Sequence, residues 1–180
     1  MITFGDAALK DIELKLVSEL MRNSRRSDRE LAKAIGVSQP TVTRTVARLE
    51  KEGVIKEYTA IPDFQKLGYA LAAITLGNVR EEFREPKVLD EARRKFVQSF
   101  NESAFEVVLD ERGMGMGYDG IIVSFHKNYS EYVKFKRWIA KMPFIDAQRL
   151  DSFLIDLNDT VHHRYLTFSY LAEHLMQTPK

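Results

Sequence analysis

The chain has 180 residues, of which 44% are hydrophobic and 29% are charged, a composition typical of soluble globular domains. The net charge of +1 does not indicate a strongly basic domain, so any affinity for nucleic acid must come from a local basic patch. The absence of cysteine excludes disulfides and thiolate metal sites and fits the cytoplasm. Because we find neither a signal-peptide pattern nor a long apolar run, we expect no association with a membrane.

The first 60 residues predict three helices. Apolar side chains recur at helical spacing within residues 8–22, which indicates a first helix. Ser27 and Glu30 stand three residues apart, as in a capping box, and predict a second helix from Asp28 to about Ile35. The residues that this second helix should bury are Leu31, Ala34 and Ile35.

A tight turn and a third helix follow. Gly36 permits the left-handed backbone that ends a helix, and Ser38 is a favourable N-cap for the next one. Pro40 falls in the first turn, where its missing N–H does no harm, and Gly53 is expected to stop the helix. Its inward side chains should be Val42, Val46 and Leu49. Two short helices around a glycine turn, after a supporting helix, are typical of a helix-turn-helix module.

The outward face of the third helix is small and polar at its beginning and basic further on. Such a face suits the major groove, where polar side chains read base edges and cations bind phosphates. Gln39 suits adenine, Arg44 suits guanine or a phosphate, and Arg48 and Lys51 suit phosphates. The candidate DNA-binding residues are Ser38, Gln39, Pro40, Thr41, Thr43, Arg44, Arg48 and Lys51.

The rest of the chain alternates between strand and helix patterns. Residues 54–61 are predicted to form a strand after the third helix. The later strands are predicted at 69–76, 104–110, 120–126 and 147–157, and the helices at 86–100 and 129–141. This β-α-β-β-α-β order is the ferredoxin-like arrangement, in which both helices cover one face of the sheet. The bare face predicts pairing with a second copy.

Four finer expectations concern this second region. The helix at 86–100 should place Leu89, Ala92, Phe96 and Phe100 on one face. The next strand should point Phe105, Val107 and Leu109 the same way. Residues 113–117, rich in glycine, should form a mobile hairpin loop, and a last helix is expected over 164–176.

The sequence therefore predicts an α+β protein with an N-terminal three-helix, winged helix-turn-helix domain and a C-terminal ferredoxin-like βαββαβ domain, followed by an extra C-terminal helix. The expected bounds are 1–60 for the helix-turn-helix domain with its hinge strand, 61–68 for a linker, 69–158 for a ligand-sensing and dimerisation domain, and 159–180 for a helical extension.

The segment from Leu31 to Arg44 resembles the helix-turn-helix of the Lrp/AsnC regulators, also called feast/famine regulators. Residues 48–60 extend this resemblance, and Leu67-Gly68-Tyr69 is similar to the start of the family's second domain. Gly117-Tyr118-Asp119 before an apolar strand resembles the family's C-terminal motif. The resemblance covers roughly residues 9–157, with Glu13 where the family usually has Asp and a chain that runs past the usual end.

The resemblance implies a sequence-specific transcriptional regulator that binds double-stranded DNA. It also implies homodimers that pair sheet to sheet, and often larger oligomers. An amino acid or related metabolite would bind between C-terminal domains near the glycine-rich hairpin. The candidate ligand-binding residues are Met116, Gly117, Tyr118 and Asp119.

Two alternatives stay open at this point. Sirohaem decarboxylases resemble the same architecture, and in such an enzyme His162 or His163 would be haem-side residues. The other alternative is a metabolite-binding assembly module that does not bind DNA. We expect no enzyme, no catalytic residue, no cofactor and no metal, because no nucleophile stands with a base and adjacent histidines make a poor metal site.

Overall fold

The structure is a computed structural model that describes residues 9–159 and 166–175. The helices are α1 (Asp11–Arg22), α2 (Asp28–Ile35), α3 (Gln39–Lys51), α4 (Pro86–Glu102), α5 (Tyr129–Ala140) and α6 (Ser169–Leu175), with a short 3-10 turn at Glu81–Phe83. The strands are β1 (Leu71–Val79), β2 (Glu106–Gly115), β3 (Tyr118–His126) and β4 (Ile145–Asp156). Within α4, the side chains of Pro86, Leu89, Arg93, Phe96 and Phe100 lie outside the described residues, and so does most of the predicted apolar face of this helix.

The described chain divides into two units. The first, here called the helical unit, comprises residues 9–61 and 166–175. The second, here called the sheet unit, comprises residues 62–159. The N-terminal helices together with a four-stranded antiparallel sheet and its helices confirm the predicted α+β fold.

Local signals in the sequence explain how the first three helices begin and end. Ser27 and Glu30 form the predicted capping box of α2, and Gly36 ends that helix with a φ of +75°. Ser38 caps α3 by accepting a hydrogen bond from the N–H of Thr41. The buried core of this unit consists of Leu16, Leu31, Ala32, Val42 and Leu49.

The predicted inward face of α2 is wrong in one position, because Ala32 is buried and Ala34 is exposed. Successive residues of an α-helix are rotated by about 100°. Leu31, Ala32 and Ile35 therefore share the face that meets the core, and Ala34 lies at its flank.

The predicted strand over 54–61 does not form. The N–H groups of Val54 and Ile55 donate to the carbonyl of Leu49 at 2.9 and 3.2 Å, which closes the end of α3. Gly53 supports this closure with a φ of +71°. A strand needs a neighbouring strand for its N–H and C=O groups, and no described strand pairs with this segment.

The sheet has the order β2-β3-β1-β4, and its three pairings are antiparallel. Ala73, Ile122 and Leu150 face α5, where Phe135 and Ile139 complete the core. The opposite face carries exposed apolar side chains, namely Leu109, Phe153 and Ile155.

A bulge in β2 overturns the prediction that Phe105, Val107 and Leu109 face the same way. Phe105 and Val107 pack against the core, but the register against β3 shifts between Val107 and Leu109. One extra residue in a strand moves every later side chain to the other face. Leu109 therefore lies opposite Val123 and is 41% exposed.

The hairpin predicted at residues 113–117 is present, but its turn is shorter than the predicted loop. Strand β2 continues to Gly115 and β3 begins at Tyr118, so only Met116 and Gly117 form the turn. Their φ angles are +52° and +80°. Two positive φ angles are the requirement of the tight two-residue hairpin turn, whose twist matches that of the flanking strands.

Helix α6 packs against α1. Ala172 is fully buried, and the buried hydroxyl of Ser18 in α1 donates to the Ala172 carbonyl at 2.7 Å. The predicted helix over 164–176 is shorter at its beginning, since residues 166–168 precede α6, and positions 164, 165 and 176 lie outside the described residues.

Candidate nucleic-acid interface

The beginning of α3 is held in place by its own polar side chains. The Ser38 hydroxyl lies 2.8 Å from the Thr41 hydroxyl and accepts from the Thr41 N–H at 3.4 Å. Ser38 is exposed, so the first turn of the helix faces solvent with its N–H groups. A helix N-terminus of this kind attracts anions such as phosphate.

The first two turns of α3 present a polar, exposed surface. Gln39, Pro40, Thr43 and Arg44 line a shallow concave surface, while Val42 on the same helix is buried. The Nε of Arg44 donates to the Pro40 carbonyl at 3.2 Å, so the guanidinium lies along the first turn. The structure thus brings four of the predicted DNA-binding residues together.

Thr43 has a further contact that the sequence did not indicate. Its hydroxyl donates to the carboxylate of Asp28, the first residue of α2, and lies 3.2 Å from the carbonyl of Gln39. Asp28 therefore fixes α3 against α2 through Thr43. This hydroxyl is already engaged within the protein.

Arg48 lies further along α3 and is bound within the domain. Its guanidinium forms an ion pair with Glu13 of α1 and a second one with Glu52 at 3.5 Å. The Arg48 side chain is nevertheless 44% exposed, whereas that of Glu13 is 5% exposed. Lys51, in the last turn of α3, is exposed.

Glu13 is the residue of this region that sequence reasoning missed. Its carboxylate accepts from the N–H of Lys10 at 2.8 Å at the start of α1. This backbone hydrogen bond, followed by the hydrogen bond from Arg48, lowers the pKa of Glu13 below its ordinary value. The available signal was an acidic residue, Glu13, between apolar Ile12 and Leu16. It occupies the third position of α1, where a carboxylate can accept from the backbone N–H of the N-cap residue.

The predicted ligand-binding residues surround the hairpin turn of the sheet unit. The Gly117 carbonyl accepts from Asn78 at 3.0 Å and from Arg149 at 2.8 Å. The Asp119 carboxylate accepts from the N–H of Val79 at 3.2 Å and from Arg84 at 3.3 Å.

Tyr118 and Met116 differ in their surroundings. The Tyr118 hydroxyl donates to Asp151, and this hydrogen bond raises the pKa of the tyrosine. The Arg149 guanidinium lies 5.9 Å from the centre of the Tyr118 ring. Met116 is 87% exposed.

A cavity of about 250 Å³ lies beside this turn, and of the four predicted residues only Asp119 lines it. Its other charged lining residues are Arg84, Asp110, Glu111 and Arg112. Asp110, Glu111 and Arg112 belong to β2, whose register the bulge sets, and Arg84 follows the 3-10 turn, so spacing along the chain did not reveal this set.

Among residues 9–159 and 166–175, no group of three or more His, Asp or Glu side chains could hold a metal ion. No helix in this part of the chain is long and apolar enough to cross a membrane. His162 and His163, the candidate haem-side residues, lie outside the described residues.

Comparison with known proteins finds both similar sequences and similar structures. The family described as winged helix-turn-helix DNA-binding matches residues 9–56. The transcriptional regulator LrpC of Bacillus subtilis is 42% identical over 72 residues, which are 40% of this chain and 50% of LrpC. The leucine-responsive regulatory protein of Rhizobium meliloti is 35% identical over 74 residues, which are 41% and 47% of the two chains. The chain spans about half the length of the curated relatives it matches.

Solved structures extend the likeness to the whole fold. Bacillus subtilis LrpC has a TM-score of 0.67 at 23% identity and covers 88% of this chain and 100% of its own. Escherichia coli AsnC has a TM-score of 0.66 at 19% identity, covering 89% and 99%. The resemblance to the Lrp/AsnC regulators is confirmed.

A third similar structure contains a small molecule. It is a transcriptional regulator of Neisseria meningitidis in complex with L-Met, with a TM-score of 0.70 at 18% identity, covering 91% of this chain and 99% of its own. At these identities the structures establish the Lrp/AsnC fold for this chain.

Proposed function

We propose that this protein is a sequence-specific, DNA-binding transcriptional regulator of the Lrp/AsnC type, with α3 as its recognition helix. One observation carries the proposal. Helix α3 buries Val42 and Leu49, exposes Pro40 and Arg44 on its opposite side, and exposes Gln39 at its capped N-terminus. A helix that enters the major groove needs this division between core and base-reading faces.

Each exposed residue has a role that its chemistry supports. The Gln39 amide can donate to and accept from adenine, and the Arg44 guanidinium can donate to guanine or to a phosphate. The N–H groups at the start of α3 bind a phosphate next to Ser38. Because Arg48 is shared with Glu13 and Glu52, it contributes less to phosphate binding than Arg44.

The active form in this proposal is a homodimer, or a larger oligomer built from it. The sheet face with Leu109, Phe153 and Ile155 exposes apolar area that a second copy of the same face would cover. A dimer presents two α3 helices to successive major grooves, roughly 34 Å apart on one side of the duplex.

An amino acid or related metabolite is the proposed effector, and the neisserial relative bound to L-Met supports this class. Besides the paired Asp119 and Arg84, the cavity is lined by Asp110, Glu111 and Arg112, so it presents charges of both signs, as an amino acid does. Such an effector changes DNA binding only if it binds one arrangement of the protein better than another.

Selection of DNA from a random pool, with and without each amino acid, tests the proposal. We expect recovery of a pseudo-palindromic sequence by the wild-type protein. The variant Gln39→Ala/Arg44→Ala should lose specific binding by about 100-fold or more, since each base contact contributes about 1–3 kcal/mol.

The matched control is Arg137→Ala, which removes the same charge from the exposed side of α5 and should bind as the wild type does. Equal, tight binding of the selected DNA by the double variant would refute α3 as the recognition helix. Failure to recover any enriched sequence would refute the proposed function.

A further inference from the structure

The chain enters the helical unit twice. It leaves this unit after residue 61 to build the sheet unit and returns to it with α6. The two units are therefore joined by two covalent connections, one at residues 61–62 and one between Asp156, at the end of β4, and Ser169, at the start of α6.

The second connection attaches the end of β4 to the helical unit only while α6 is packed against α1. The contacts that dock α6 are specific. Ala172 has no exposed surface, and its carbonyl accepts from the Ser18 hydroxyl at 2.7 Å. Ser18 is itself 1% exposed. Leu171, the preceding residue, is half exposed, which identifies the side of α6 that does not meet α1.

The buried cluster of the helix-turn-helix contains no residue of α6. Its five buried residues come from α1, α2 and α3, and no residue of α6 packs against them. Docking of α6 on α1 is therefore a contact separate from this cluster. With α6 docked, Gln39, Pro40 and Arg44 of α3 remain exposed to solvent.

We propose that α6 acts as a strap that restricts the movement of the helical unit relative to the sheet unit. A module held by one linker can rotate about it, whereas a second attachment removes many of those orientations. The chain from Asp156 to Ser169 spans at most roughly 47 Å even when fully extended, so docking of α6 sets an upper limit on the distance between these two residues.

For DNA binding, a strap narrows the range of half-site spacings that a dimer accepts. This consequence rests on the proposed function, whereas the restriction itself does not. With the strap docked, shifting the spacing of two half-sites costs affinity, because fewer orientations of the modules are available to follow the shift.

The first test needs no DNA. The variant Ala172→Glu places a carboxylate in the fully buried contact and should undock α6, which hydrogen exchange of α6 amides reports. Leu171→Glu is the matched control, since it introduces the same group one residue earlier on the half-exposed side. Nitroxides at Lys33→Cys and Arg137→Cys, both exposed positions in a chain without cysteine, report distances between the units.

With the labelled chain diluted in unlabelled protein, we expect a narrow distance distribution for the wild type and for Leu171→Glu. We expect a distribution at least about twice as wide for Ala172→Glu. The strap is refuted if Ala172→Glu loses protection of α6 but keeps the narrow distribution, or if α6 amides stay protected in that variant.

The second test uses the selected DNA with altered half-site spacing. The affinity of Ala172→Glu for DNA with the best spacing should be within about threefold of the wild-type affinity. The factor by which its affinity drops on shifted spacings should be at least about fivefold smaller than the factor for the wild type. An unchanged spacing preference would contradict the functional role of the strap. If the wild type binds no DNA at all, the proposed function fails while the distance measurement still decides the strap.

Discussion

The buried carboxylate of Glu13 in α1 binds the guanidinium of Arg48 in α3, 35 positions further along the chain. Glu13 is 4% exposed and also accepts from the N–H of Lys10. One side chain therefore caps the supporting helix and binds a cation on the helix proposed to read DNA. Arg48 consequently belongs both to the fold and to the edge of the candidate interface.

Substitution of Glu13 should release Arg48 to the DNA. We expect Glu13→Gln to bind non-specific duplex DNA more tightly, because the guanidinium loses its buried counter-charge. One additional phosphate contact makes the slope of log K against log salt steeper by about 0.9. Titrations at several salt concentrations measure this slope. Glu173→Gln, which removes the same charge from an exposed position of α6, is the control, and an equal slope for all three proteins would contradict the prediction.

Stability of the sheet unit should fall as the pH falls below about 6.5. His126 is 2% exposed, and burial lowers its pKa below the ordinary value of 6.5. Because the unfolded chain binds the proton more readily, the free energy of unfolding decreases as the pH falls through 6.5. Urea unfolding at pH 7 and pH 5 should show a larger loss for the wild type than for His126→Gln.

For this comparison His174→Gln, at an exposed position of α6, serves as the control and should lose stability as the wild type does. Ser124 is the polar contact that Gln can keep, since its hydroxyl lies 2.8 Å from Nε2 of His126. Parallel pH curves for wild type and His126→Gln would show that this histidine does not control the acid response.

The exposed sheet face should control assembly. Phe153 of β4 is 69% exposed, pairs with Ile74 of β1 and lies on the face opposite the helices. Phe153→Glu introduces a charge that dimerisation would have to bury, so we expect monomers in analytical ultracentrifugation. Val97→Glu, a half-exposed apolar residue of α4, should leave assembly unchanged. A dimer formed by Phe153→Glu at wild-type concentrations would exclude this face as the interface.

A side chain at Gly117 should destabilise the hairpin turn. Its φ is +80°, and a Cβ there would lie 2.9 Å from the Arg149 guanidinium. We expect Gly117→Ala to destabilise the sheet unit by about 1–3 kcal/mol in denaturant unfolding. Gly113→Ala, where a Cβ meets nothing within 4 Å, should differ from wild type by less than about 1 kcal/mol. Equal stability of the two variants would contradict the strain at the turn.

Several parts of the candidate sites followed from local chemistry. The cap at Ser38, the turn at Gly36 and the inward residues Val42 and Leu49 depend on neighbours within a few positions. The contacts of Thr43 with Asp28 and of Asp119 with Arg84 depend on separate elements that meet only after folding. Spacing along the chain carries no information about such pairs.

By itself, the sequence determined the order of the helices and of the four sheet strands, the capped beginning of α3 and the division of that helix into apolar and polar faces. These features follow from the periodicity of side chains and from hydrogen bonds between near neighbours. Only the tertiary structure decided that Arg48 binds Glu13 and that α6 returns to α1. It also decided that residues 54–61 have no strand to pair with among the described residues, and that a bulge turns Leu109 away from the core. Each of these depends on contacts between residues far apart in the chain, whose partners are selected by packing and register rather than by local preference.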